Sequence, residues 1–364
     1  MWPFPWSSKG FYEFPFRNAL LQRTGAFERR MASRNVVRQY AAPGRAARMG
    51  KHNIVIASLP AGVYGITSAA TTASSLLSSL PQIRIGLLVG IGGGIARPDE
   101  GMDIRLGDVI VSQPDGTAGG VVQYDLVKAK SGGERERKDF LNMPPPVLLH
   151  ALANLQAEHL VAGSKLTALL ENMWAANPPM AKPTKSAPGF VHQRSENDRL
   201  FNTSYGHAGG RDYRRCDPNE KLQRDTQNST DPEIHYGIIA SGNTLVKNAA
   251  ERDKVAEHVG KECLCVEMET AGLMNHFPYL VIRGICDYAD SHKNNRWQRY
   301  ASATAAALGK ELLGYVPAGE LQKTRRAAEL LQSSRGRGAT TMTNYGKVAN
   351  FGQTITIQEQ SISL

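Results

Sequence analysis

Two stretches of the 364-residue chain set charged side chains at the ends of apolar runs: CLCVEMETAG at 263–272 and LVIRGICDYAD at 280–290. Glu269, two residues beyond the first run, is the better ligand candidate of its pair, because one carboxylate can accept both hydroxyls of a sugar diol. Glu267 follows the run directly, where an acid also simply complements the dipole of the helix that begins there. Asp287 closes the second run. Its plain role is to cap the turn that follows. Partial burial would instead lift its carboxyl toward the range in which it holds and delivers a proton.

The glycine cluster VGIGGGI at 89–95 follows a strand pattern. A dinucleotide-binding turn is disfavoured: the motif needs glycine where Ile95 stands, and no helical pattern follows at once. The Walker phosphate motif is absent from the chain as well. What glycines at 90 and 92–94 permit is a loop without Cβ atoms, in which a ligand approaches backbone amides closely, or a tight turn with no ligand at all.

A regular alternation must position these residues. NIVIAS (53–58), IRIGLLV (83–89), DVIVS (108–112), HYGIIA (235–240), LCV (264–266) and YLVIRGIC (279–286) are β-branched runs too short for buried helices, and they read as central strands. Helix-favouring stretches separate them at 65–80, 146–160, 248–259, 268–277 and 299–316. The alternation predicts a layered α/β domain with a mainly parallel sheet. In such sheets ligands sit beyond the carboxyl ends of the strands, and the charged residues above fall at such ends.

The remaining segments bound the domain. Residues 1–50 are basic, with Glu13 and Glu28 as their acids, and show neither helical nor strand period. They read as an atypical extension, with a mitochondrial transit peptide as the alternative to a cytoplasmic protein. The stretch 163–233 reads as an irregular insertion, too long for an ordinary connection. From 317 to 364 the chain turns polar, as a flexible tail does, and its end NFGQTITIQEQSISL suits a self-associating strand or a frayed end. The net charge of +10 resides largely in such segments, so neither a nucleic-acid partner nor a membrane is expected. Cys216, Cys263, Cys265 and Cys286 lack the paired spacing of a zinc site, no metal is expected, and a reducing compartment fits them best.

Five motifs in order, VGIGGGI, LGDVIVS (106–112), IIASGNTLV (238–246), VEMETAGLM (266–274) and VIRGICDYAD (281–290), resemble the nucleoside phosphorylase/nucleosidase superfamily over about residues 51–316. The likeness is to its methylthioadenosine/S-adenosylhomocysteine nucleosidase branch and to the related domain of fungal NLR-like proteins. HNIVIASLPAGVYG (52–65), DIRLGDVIVSQP (103–114), GGVVQYDL (119–126) and ENDRLF (196–201) resemble that fungal group too. The resemblance implies a three-layer α/β/α fold with a central mixed, mainly parallel sheet, and cleavage of a purine nucleoside at its N-glycosidic bond. Asp287 then matches the aspartate that protonates N7 of the base, and Arg283 an arginine near the attacking water or anion. Glu269 matches the glutamate on the ribose hydroxyls, with Met268 against the sugar and Glu267 supporting the pocket. Gly90, Ile91 and Gly92 line the substrate site, and Leu245 and Val246 hold the base where the nucleosidase branch often has an aromatic ring.

Two departures qualify these roles. The family's phosphorylases grip phosphate with an arginine before the glycine cluster and a serine within it; Leu88 and Ile91 stand there, so water is favoured over phosphate as the nucleophile. The family's first strand, with the glutamate that helps activate the nucleophile, is not evident in residues 1–50. No cofactor is implied beyond phosphate as a co-substrate. The implied partner is a small nucleoside or nucleotide, adenine-type because an aspartate rather than an asparagine faces N7, and family habit implies a homo-oligomer. Two further classes stand beside hydrolysis: phosphorolysis, and a catalytically impaired nucleoside-sensing or signalling module of an NLR-like system.

Overall fold

The computed structural model describes residues 45–329 apart from 61, 132–134, 138–140, 211 and 276–278. Its strands are β1 (Arg45–Met49), β2 (His52–Ile56), β3 (Gly86–Gly94), β4 (Val109–Ser112), β5 (Val121–Gln123), β6 (Val127–Ala129), β7 (Arg135–Arg137), β8 (Ile234–Ser241), β9 (Cys263–Glu267) and β10 (Tyr279–Asp287). The α-helices are α1 (Ile66–Ser79), α2 (Pro146–Ala162), α3 (Leu166–Ala176), α4 (Pro178–Ala181), α5 (Ala249–Val259), α6 (Ala271–Met274), α7 (Gln298–Leu313) and α8 (Ala318–Lys323).

Six strands form one sheet in the order β4, β10, β3, β9, β8, β5, and β4 also pairs with β8. Val109–Ser112 thus bonds to β10 on one side and to the first half of β8 on the other, which closes five strands into a ring. β5 takes over alongside the second half of β8. β10 runs parallel to β3, and β8 runs parallel to β4, β5 and β9. β4 with β10 and β3 with β9 are antiparallel, so the sheet is mixed and mainly parallel, as expected.

All nine residues of β10 are buried, as a strand covered on both faces requires. On one face lies α7, whose ASATAAALG stretch is small enough to press onto the strand; a Cβ at Gly284 would run into the carbonyl of Ala301. α2 and α3 pack against the outside of α7. The register carries that same face from Gly284 through Ile91 and Gly93 to Val266 and Ala240, which meet Ala256 of α5. α7 and α5 thus flank a central mixed sheet, the α/β arrangement expected.

Four expectations need correction. NIVIAS is not a central strand: β2 pairs with β1 in an antiparallel hairpin, because RAARM lies directly upstream and a short turn at Gly50 and Lys51 brings the two together. The cluster VGIGGG is not a loop or turn but the second half of β3. The stretch after 163 is less irregular than its composition suggests, since α3 buries Leu166, Leu170 and Met173 at helical spacing against α7. Beyond it, Leu200, Phe201 and Cys216 are buried. Buried Asp198 accepts hydrogen bonds from Arg224 Nη2 at 2.8 Å and from the Tyr288 hydroxyl at 2.5 Å, tying this segment to the residue after β10. Last, the chain does not turn flexible at 317: α8 follows, Ala327 is buried, and its N–H donates to the Ile83 carbonyl at 2.8 Å. Glu13, Glu28 and the terminal NFGQTITIQEQSISL lie outside the described residues. No helix among the described residues is long and apolar enough to cross a membrane.

Candidate active site

The site is built around β3, and its glycines explain the geometry. β3 lies between β10 and β9, so side chains from both neighbours converge over it. A side chain at Gly90 or Gly93 would collide with them. A Cβ on Gly90 would clash with the guanidinium of Arg283, and a Cβ on Gly93 would lie 2.9 Å from Asp287 Oδ1 and 2.8 Å from the Ala289 methyl. The glycines therefore make room for two charged side chains.

Arg283 crosses from β10 to the end of β9. Its Nη2 donates to Glu267 Oε2 at 2.5 Å and to Thr270 Oγ1 at 3.2 Å, and lies 3.8 Å from Glu269 Oε2. Glu267 also accepts the backbone N–H groups of Glu269 and Thr270, both at 3.1 Å, so it caps the turn into α6 as well as pairing with the arginine. Burial works to raise the Glu267 carboxyl, yet Arg283 and these donors hold it below its ordinary range. Burial likewise opposes the charge on Arg283, and Glu267 and Glu269 more than restore it. Arg283 and Glu267 are thus internal supports, and Gly90 is covered by the guanidinium.

Asp287 ends β10 with every carboxylate oxygen engaged. Oδ1 accepts the Ala289 N–H at 3.0 Å, while Oδ2 accepts the Cys286 thiol at 3.1 Å and Lys293 Nζ at 2.9 Å. The Ala289 backbone is held at a φ of 52°, uncommon for a residue with a side chain, and closes this turn. Lys293 keeps its proton tightly: burial opposes the charge, but the Asp287 carboxylate beside it raises the ammonium above its ordinary range.

Between these groups opens a cleft at the carboxyl ends of β3, β8, β9 and β10. Its wall includes Ile91, Gly92, Leu245, Val246, Glu267, Met268 and Glu269, all expected at the site from the sequence. Met268 is buried, Glu269 is partly exposed, and Leu245 is exposed at the rim. Arg283, Gly90 and Asp287 do not form part of this wall, though the first and last pair with residues that do. Sequence reasoning missed Gly93, Thr244, Val266, Cys286, Lys293 and Gln298, which complete the lining. Lys293, in the polar stretch DYADSHK six residues beyond Asp287, carried no signal of its own in the sequence. Among the described residues no cluster of three or more His, Cys, Asp or Glu side chains could hold a metal ion.

Over 265 residues, 73% of its length, the chain is 43% identical to a nucleotide-binding leucine-rich repeat (NLR)-like protein of Hyaloscypha variabilis. The likeness is to one part of a larger protein. The chain spans 25% of the length of that relative. No family model matches it. Among solved structures it is similar to the 5′-methylthioadenosine/S-adenosylhomocysteine nucleosidase of Neisseria meningitidis in complex with methylthio-immucillin-A, at 14% identity and a TM-score of 0.43, covering 78% of this chain and 93% of that one. It is also similar to the futalosine hydrolase of Helicobacter pylori strain 26695, at 14% identity and a TM-score of 0.43, covering 83% and 93%.

Proposed function

We propose that this chain hydrolyses the N-glycosidic bond of a purine nucleoside or nucleotide, with adenine-type substrates favoured. The observation that carries the reading is the composition of one cleft: a carboxylate, Glu269, on one wall and the Lys293–Asp287 pair on another. Glycoside cleavage passes through an oxocarbenium-like sugar and sends an electron pair onto the leaving base. Glu269 serves the sugar, accepting its hydroxyls and facing the positive charge that develops there, while Met268 packs against the ring. Glu267 and Arg283 hold that wall in place from behind. The Asp287 end serves the base, and Leu245 and Val246 flank it from the rim.

Water is the nucleophile in this reading, because Ile91 puts an apolar side chain in the wall and Leu88 packs into the core where an anion would need donors. Phosphorolysis is the reading this disfavours. The 43% identity to an NLR-like protein favours a second setting, in which the same cleft senses or consumes nucleosides as one part of a signalling protein. The test is release of adenine and ribose from adenosine by the full chain, with and without phosphate. Free ribose at a phosphate-independent rate is expected. Ribose 1-phosphate as the product would overturn hydrolysis, and binding without base release would leave the sensing role alone.

A further inference from the structure

In a nucleosidase the leaving base must be met by whatever group faces it across the cleft. Here that group is an ammonium. Lys293 lies in the cleft wall beside Cys286 and Gln298, whereas Asp287 sits behind it with its oxygens taken by the Ala289 N–H, the Cys286 thiol and Lys293 itself. Of the pair, it is therefore the lysine that a ligand in the cleft adjoins. The side chains of Lys293 and Asp287 are 15% and 3% exposed, so of the two the lysine is the more open to the cleft.

We propose, on the basis of the nucleosidase reading above, that Lys293 is the catalytic residue that meets the leaving base, with Asp287 as the counter-ion that aims it. As the glycosidic C–N bond breaks, its electron pair stays on the base, and the negative charge collecting there is taken up by the ammonium through an N–H hydrogen bond. Water adds its oxygen to the sugar carbon. The proton that this water gives up ends on the departed base, so free sugar and neutral base are the products. The ammonium acts as a fixed charge rather than as a proton donor, because Asp287, helped by Cys286 and Asp290, outweighs burial and keeps it protonated. A donor already in place where charge develops needs no reorganisation during the reaction.

The experiment compares two ribosides on the full chain: adenosine, whose base leaves poorly, and 4-nitrophenyl β-D-ribofuranoside, whose nitrophenolate is a stable anion that needs no partner. Lys293→Met is expected to slow adenine release by about 10²-fold, the scale seen when one preorganised donor is removed. Nitrophenol release should stay nearly unchanged, which also shows that the variant folds. Lys293→Arg should keep adenine release within about tenfold of the native chain, since charge and donors are retained. Equal losses on the two ribosides would overturn the proposal and reduce Lys293 to a prop for Asp287. Release of neither product by the native chain would overturn the nucleosidase reading itself, and this proposal with it.

Discussion

Two ion pairs flank the glycine strand, and they differ in what lies beside them. Arg283 and Glu267 are 3% and 0% exposed at the side chain, and backbone N–H groups fill the remaining acceptor positions of the carboxylate. Both pairs reach the cleft wall, the first through Glu267 with no exposed side-chain area and the second through Lys293, whose side chain is 15% exposed. The first pair holds β9 and β10 together over β3; the second offers a charge to whatever enters. Two contacts that look alike in a distance table thus differ in how far they are exposed to the cleft.

The sharpest way to break this comparison is Arg283→Met. It strands Glu267 as a buried charge, and removing one partner of such a pair costs about 3–5 kcal/mol. Urea unfolding should show that loss, and a larger loss in Lys293→Met would reverse the assignment of roles. Next in size is Glu269→Gln. Binding of adenosine should weaken by about 1.5–3 kcal/mol, as expected when a charge-assisted hydrogen bond is lost. Calorimetric titration with 2′,3′-dideoxyadenosine should show no such change, and equal losses for both ligands would remove Glu269 from the diol.

Smaller, and opposite in sign at the two pairs, is the response to pH. Glu267 has its pKa lowered by folding, so its contribution is complete above the unfolded value of about 4.3 and is lost as pH falls through the folded value. Lys293 has its pKa raised, so its contribution is complete below about 10.4 and is lost as pH rises through the folded value. Urea midpoints followed in both directions should show the acid limb flattened in Arg283→Met and the alkaline limb flattened in Lys293→Met. An unchanged limb in either variant would detach that pair from stability. The smallest effect belongs to the rim. Leu245→Phe restores a ring where the base is proposed to lie and should tighten adenosine by about 1 kcal/mol, the worth of an aromatic contact beyond its area; weaker binding would place the base elsewhere.

Much of the architecture was legible in the chain because central strands advertise themselves: YLVIRGIC and HYGIIA have no polar face. The glycine cluster was misread for a physical reason. Glycine is a poor strand former, and what stabilises it within β3 is Arg283 and Asp287 filling the space above it, from residues nearly 200 positions away. The hairpin of β1 and β2 hid likewise, since β-branched composition reports strand formation and not the partner chosen. At the site, carboxylates at strand ends were visible as such. Lys293 was not, because a lysine in a polar loop looks like solvated surface until the fold lays it on Asp287.

The order of the strands has a consequence for the newborn chain. Within the main sheet β3, β4 and β5 pair only with β8, β9 and β10, never with one another. At about 5–20 residues per second, tens of seconds separate the appearance of β3 from that of β10. For nearly all of that interval, until β9 emerges, GLLVGIGGG has no native strand to receive it. The first three strands of the main sheet therefore cannot complete their pairing ahead of the last three, and they are the part a chaperone would be expected to hold.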